Sequence, residues 1–248
     1  MLYYSVAHYF DVKGSRKDAM YAHISNHIKE FLNTDEMNKE FVLVSFIDSE
    51  RGNERYDIIK KELEDFCQNQ LPHHKVHVIV EYNWGGTIAG LWYSYLYLKS
   101  NSLQGYIAHF EEDFGPKNNN WYKDARDNLK EDIIYVGEVN GGRIKRGDDD
   151  NRLSRGKHDG QPRLGDPEVW TDGGFYFSTI EKFMLVEEKV GTFHKGDQNT
   201  KYDRMIDGIS LGEVGFPTLL HHANFTFSFL PRAKYFRHEW VSDTIASC

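Results

Sequence analysis

The chain has 248 residues, a formal net charge of -8, 40% hydrophobic and 27% charged residues, which excludes a disordered chain and leaves ample length for a large core. The acidic balance without a basic stripe argues against nucleic-acid binding, and no segment approaches the roughly 20 apolar residues of a membrane span. Its two cysteines, Cys67 and Cys248, fit a reducing compartment, and Met1-Leu2-Tyr3-Tyr4 lacks the charged and apolar regions of a signal peptide, so a cytoplasmic location is expected and the sequon Asn224-Phe225-Thr226 reads as chance.

In chain order, Tyr3 to Phe10 predicts a first strand. Ser15 can cap a helix whose apolar positions, Met20, Ile24, Ile28, Phe31 and Leu32, have helical spacing. Phe41 to Ile47 reads FVLVSFI, a buried strand, and Tyr56, Ile59, Leu63 and Phe66 mark a second amphipathic helix. Val76 to Val80 gives a third strand. Ile88, Leu91, Trp92, Tyr95 and Leu96 give a third helix, and Tyr106 to Phe110 a fourth strand. This alternation predicts a parallel sheet with helices on both faces, with ligands bound beyond the carboxyl ends of the strands.

The second half reads differently. Ile133 to Val136 predicts a short strand. Residues 140–166 are polar, rich in Gly, Arg and Asp, and without periodicity; a loop of that length is expected to be mobile and to serve as a lid. Phe175 to Phe177 predicts a strand, followed by a helix with Ser178 and Glu181 as a capping box and Gly191 near its end. A helix over about Leu211 to His222 and a strand over Phe225 to Leu230 complete the pattern. One domain of two lobes is expected, residues 1–115 and 116–248.

Glu111-Glu112-Asp113 follows the fourth predicted strand directly. Three acids there repel one another unless a cation is present, and hard oxygen ligands suit Mg²⁺ or Mn²⁺. Strand alternation predicts that Glu111 and Asp113 face one ligand together. The plain alternative is an acidic loop in solution. Asp148-Asp149-Asp150 is a rival metal site without a flanking strand. Asn83, Gly85 and Gly86 lie between a strand and a helix, where glycine lets the backbone approach a ligand and a helix N-terminus favours phosphate; a tight turn needs the same glycines. Arg143, Lys145, Arg146, Arg152 and Arg155 could close over a diphosphate or be solvated surface. Asp172, beside Gly173-Gly174, and Glu213, in a second capping box with Ser210, are candidate general bases, with Asp203 and Asp207 behind them.

The run Asn83-Trp84-Gly85-Gly86, helix, strand, Glu111-Glu112-Asp113 resembles the "N-x-G, helix, strand, acidic motif" order of the GT-A class of glycosyltransferases. Trp170-Thr171-Asp172-Gly173-Gly174-Phe175 is similar to the acceptor-side Gly-Gly-Phe loop of that class, and Gly212-Glu213-Val214-Gly215-Phe216 to its later acidic segment. The likeness spans Leu2 to Trp240; one departure is a Glu-x-Asp motif in place of Asp-x-Asp. The resemblance implies an α/β, GT-A-like fold, with a Rossmann-like nucleotide-binding half, a mixed central sheet and an acceptor-binding half. It makes Ala7, His8, Tyr9, Asp48, Asn83, Gly85, Gly86 and Glu112 donor-site residues, with Asp48 either accepting from a uracil N–H or capping the next helix. It implies Mn²⁺ or Mg²⁺ on Glu111, Asp113 and a late histidine, His238 in preference to His222. The expected reaction takes a sugar from a nucleotide-sugar donor, UDP-linked, to a glycan or glycoprotein hydroxyl, with inversion and with Glu213 or Asp172 as base. The alternatives are a nucleotidyltransferase making nucleotide sugars, whose Gly-rich phosphate loop His8-Tyr9-Phe10-Asp11 lacks, and a non-catalytic sugar-binding protein of the same fold.

Overall fold

The computed structural model describes residues 1–10, 17–47, 54–82, 86–129, 133–137, 172–191, 193, 216, 220 and 223–238. Strand β1 (Leu2–Tyr9), helix α1 (Lys17–Asn33), β2 (Lys39–Ile47), α2 (Glu54–Gln70), β3 (Val76–Tyr82), α3 (Gly86–Ser100) and β4 (Tyr106–Glu111) follow one another as the periodicity predicts. Then come β5 (Phe114–Pro116), α4 (Trp121–Asn128), β6 (Ile133–Gly137), β7 (Asp172–Thr179), α5 (Ile180–Val190), β8 (Phe227–Pro231), the single turn α6 (Arg232–Tyr235) and β9 (Phe236–His238).

Seven strands form one sheet in the order β3-β2-β1-β4-β7-β6-β8. β1, β2, β3 and β4 are mutually parallel, β7 runs antiparallel to both β4 and β6, and β8 is parallel to β6. The sheet is therefore mixed, as expected. The chain steps outward from β1 to β2 to β3, and α3 then carries it back to the other side of β1. This reversal opens a crevice at the carboxyl ends of β1 and β4.

Alternation along β1 explains how the two faces are covered. Tyr4, Val6 and Phe10 pack with Met20, Ile24, Ile28 and Phe31 of α1 and with Ile59 and Leu63 of α2. Tyr3 lies in the opposite cluster, with Ile88, Leu91, Tyr95 and Leu98 of α3 and Ile180, Phe183 and Val186 of α5. Gly90 lets α3 press onto the sheet: a Cβ there would stand 2.5 Å from the Ala7 Cβ and 2.8 Å from the His109 ring. Aromatic rings fill the centre of the first face, with Tyr4 stacked on Phe110 at 4.7 Å and Phe110 tilted on Phe175 at 4.9 Å.

Three details differ from the sequence expectations. The N-cap of α5 is Thr179, not Ser178: the Thr179 hydroxyl accepts from the Lys182 N–H at 3.1 Å. The reason is that β7 stays paired with β4 as far as Tyr106↔Thr179, so Ser178 is still a buried strand residue. Helix α4 and the small β5/β9 ladder had no periodic signal. α4 has only 8 residues and is fixed by tertiary contacts, its Trp121 buried and donating its indole N–H to Thr34 Oγ1 at 3.1 Å. The last sheet strand starts at Phe227 rather than Phe225. Ser15 and most of the helix expected over Leu211 to His222 lie outside the described residues. No described helix is long and apolar enough to cross a membrane.

Four described histidines are buried: His77, beside Glu40, and the trio His8, His27 and His109. His109 Nδ1 is 2.7 Å from the Ser5 hydroxyl, which is 2.7 Å from the Ser94 hydroxyl. Burial pushes the imidazoles of the trio down from 6.5, to about 4 for His8 and about 3 for His27 and His109. Because these values lie below those of an unfolded chain, the unfolded state binds more protons in acid. Their contribution is complete above about pH 6.5 and is lost as pH falls towards the folded-state values, at up to about 1.4 kcal/mol per pH unit for each ring. Urea unfolding is expected to show stability dropping steeply between about pH 6.5 and about pH 4.5. A flat profile over that window would show that the rings are not held neutral.

Candidate functional site

The crevice is built from strand ends. β1 and β4 are paired through Ala7↔Glu111, so the carboxyl end of β1 abuts the start of the acidic triplet. β7 enters from the same edge, because Phe110 faces Phe175 in antiparallel register and Asp172 opens the strand. Val136 of β6 pairs with Asp172, and β8 is in register with β6 through Gly137↔Pro231. β9 then returns to pair with β5, placing His238 opposite Phe114. The backbone thus brings Glu111, Glu112, Asp113, Asp172 and His238 to one end of the fold. Gly174 is needed for this closeness: a Cβ on it would stand 2.6 Å from the buried Phe114 ring.

The acids do not all face one way. Glu111 is the last residue of β4, while Glu112 and Asp113 form a turn. The period-two argument that aimed Glu111 and Asp113 together therefore stops at Glu111, since a turn breaks the strand's alternation. The Glu111 carboxylate accepts from the Thr87 hydroxyl in the first turn of α3. The Glu112 carboxylate accepts from the Tyr9 backbone N–H at 3.2 Å. Glu112 and Asp113 share a small cavity on the α1 side with His23, Asn26, His27 and Arg237. Among the described residues, no three His, Cys, Asp or Glu side chains converge as a metal cage. The carboxylates are still hard oxygen donors of the kind that hold Mg²⁺ or Mn²⁺ through one or two ligands plus phosphate oxygens.

The expected donor-site residues occupy distinct surroundings. Ala7 is buried against Val44, Phe46 and Ala89, forming floor rather than rim. Gly86 opens α3 with a positive φ of 57°, a conformation glycine adopts without strain. Tyr9 is 54% exposed, with its ring 5.6 Å from that of Phe46. Partial burial and the neighbouring Glu112 charge raise its phenol above the ordinary value. His8 is fully buried, and among the described residues neither of its ring nitrogens has a hydrogen-bond partner. An unpartnered buried imidazole beside a crevice is uncommon and marks a place where a ligand or water can supply the missing bond. Asp48, Asn83, Gly85 and Glu213 lie outside the described residues, as do the 140–166 loop, Asp148-Asp149-Asp150, Asp203, Asp207 and His222.

Four further residues shape the site. Thr87 holds Glu111. His27, on α1, lies 3.0 Å and 3.1 Å from the backbone carbonyls of Glu111 and Glu112. Glu30 of α1 pairs with Arg237 of β9, which faces Gly115 across the small ladder. His27 left a readable trace: it falls on the face of α1 that carries Ile24, Ile28 and Phe31, where an apolar residue is the rule. Glu30 and Arg237 left none, since 207 residues separate them in sequence.

No family model and no curated protein sequence matches the chain. Solved structures do. A protein described as a nucleotide-diphospho-sugar transferase from Desulfovibrio desulfuricans G20 superposes with a TM-score of 0.50 at 8% identity, over 93% of this chain and 79% of that one. A nucleoside-diphosphate-sugar pyrophosphorylase from Vibrio cholerae RC9 gives 0.45 at 12% identity, over 95% and 94% of the two chains. The glycosyltransferase GlyE from Streptococcus pneumoniae TIGR4 gives 0.42 at 11% identity, over 93% of this chain and 45% of that longer one. At such identities the likeness is one of fold. The chain has the mixed α/β, GT-A-like fold of the nucleotide-diphospho-sugar transferase it resembles.

Proposed function

We propose that the protein is a glycosyltransferase that moves a sugar from a nucleotide-diphosphate sugar, UDP-linked, to a hydroxyl of a glycan or glycoprotein. The observation that carries this reading is the acidic turn Glu111-Glu112-Asp113 at the point where the sheet reverses its strand order, beside the end of β1 and the first turn of α3. The exposed Tyr9 ring offers a flat apolar surface for a base, and His8 a buried nitrogen for a polar group. The first turn of α3 presents backbone N–H groups to phosphate.

In this reading Glu111 and Asp113, with His238, would hold Mn²⁺ or Mg²⁺, the two carboxylates leaving Thr87 and the α1-side cavity to meet one ion, which would supply charge to offset a departing diphosphate. Glu112, tied to the Tyr9 N–H, keeps the end of β1 against the turn. A carboxylate on the acceptor side, Glu213 in preference to Asp172, takes the proton of the attacking hydroxyl, and a single displacement inverts the anomeric carbon. Asp172 then positions the acceptor from the start of β7.

Calorimetry with UDP and MnCl₂ tests the metal assignment. Glu111→Gln and Asp113→Asn are expected to keep the fold and to lower Mn²⁺-dependent UDP affinity by about tenfold or more. Wild-type affinity in both variants would refute it. The product of turnover separates this reaction from nucleotide-sugar synthesis: transfer releases UDP, synthesis releases pyrophosphate.

Transfer assays distinguish the two bases. Glu213→Gln is expected to keep donor affinity and to lose turnover by about a hundredfold or more, while unfolding at nearly the same temperature. Full activity in Glu213→Gln together with a comparable loss in Asp172→Asn would assign the base to Asp172 instead.

A further inference from the structure

The acidic turn is held from behind by a buried chain of side chains that no strand or helix hydrogen bond requires. His27 Nε2 lies within hydrogen-bond distance of two carbonyl oxygens, Glu111 O at 3.0 Å and Glu112 O at 3.1 Å. Carbonyl oxygens only accept, so Nε2 carries the proton and donates to both. The Tyr4 hydroxyl, 2.9 Å from Nδ1, donates its single proton to the Glu30 carboxylate at 3.1 Å; Nδ1 itself lies 3.5 Å from that carboxylate, and Glu30 pairs with Arg237. Tyr4 and His27 are buried, so these contacts are shielded from water. The chain runs from β9 through α1 and β1 to the turn, linking segments that each border the crevice.

The turn lies where the main sheet ends: its two residues follow the last ladder position of β4, and β5 beyond it pairs with the short β9. Two carbonyls pointing into a buried region need a donor, and a misplaced donor would rotate the carboxylates attached to the same residues. His8, one residue before the end of the adjacent strand, has no hydrogen-bond partner for its buried ring among the described residues.

We propose that His27 is a positioning residue: by donating to the carbonyls of Glu111 and Glu112 it sets the orientation of the acidic turn, and through it the affinity for a divalent cation and the diphosphate that cation carries. The cation half of this inference rests on the proposed function; the clamp on the turn does not. A glutamine at position 27 can present an amide N–H where Nε2–H now stands, whereas a phenylalanine fills similar space and donates nothing.

The test uses the full chain as wild type, His27→Gln and His27→Phe, with two readouts. The first is hydrogen exchange over residues 111–114 without ligand. Exchange is expected to rise in His27→Phe and to stay near wild type in His27→Gln. The second is the ratio of UDP affinity with MnCl₂ to that with EDTA, which a purely structural loss of stability does not move. That ratio is expected to fall about tenfold or more in His27→Phe and to be largely retained in His27→Gln, the scale seen when groups that orient metal ligands are removed. A folded His27→Phe with wild-type exchange and a wild-type ratio overturns the proposal. So does an equal loss in both variants, which would make the ring's packing responsible. If wild-type UDP affinity ignores Mn²⁺, the functional reading of the turn fails, and the clamp is decided by the exchange data alone.

Discussion

Strand β4 carries negative charge out of the middle of a buried sheet, and much of the architecture around it offsets that charge. Its body is apolar and enclosed, with Ile107, Ala108 and Phe110 inaccessible, yet its next residues are Glu111, Glu112 and Asp113. Like charges this close disfavour one another, and burial of their backbone would cost further hydrogen bonds. The structure answers with donors from different elements. Thr87 serves Glu111 from α3, the Tyr9 N–H serves Glu112 from β1, and His27 serves the carbonyls from α1. Arg237 of β9 lines the same cavity as Glu112 and Asp113.

Close packing makes these contacts possible. Gly90 allows α3 to lie against Ala7 and His109, which brings Thr87 within reach of the end of β4. Gly174 allows β7 to pass the Phe114 ring, so the strand that begins at Asp172 can reach the same edge. A Cβ at either position would force its neighbours to shift, and those neighbours are themselves buried. The aromatic cluster of Tyr4, Phe110, Trp121, Phe175 and Phe177 supplies a stiff base beneath the turn.

The two buried faces of the sheet serve different ends at the crevice. On the α3 side, the polar row Ser5, Ser94 and His109 is internally hydrogen-bonded and leads to the first turn of the helix. The His109 ring packs against Gly90 of that helix. On the α1 side, the row Tyr4, His27 and Glu30 runs to Arg237 and to the cavity beside Asp113. The turn sits between a helix whose N-terminus suits phosphate and a helix whose side chains fix its backbone.

The sequence by itself determined the alternation of strands and helices up to Glu111, because hydrophobic periodicity is a local consequence of which face each residue buries. It also located the acidic triplet at a strand end and, through the order of its motifs, the GT-A-like fold. Tertiary structure alone decided which direction each acid takes, because a turn at Glu112-Asp113 ends the alternation that a strand would have continued. It alone decided that Thr179 rather than Ser178 caps α5, since that depends on how far β7 stays paired with β4. α4, β5 and β9 were equally hidden, being too short to show a period and held by partners distant in the chain, such as Thr34 for Trp121. A polar residue at 27 on the apolar face of α1 was legible, but its partners were not, nor was the pairing of Glu30 with Arg237: these contacts span 84 to 207 residues of sequence, and no local pattern encodes a contact of that range.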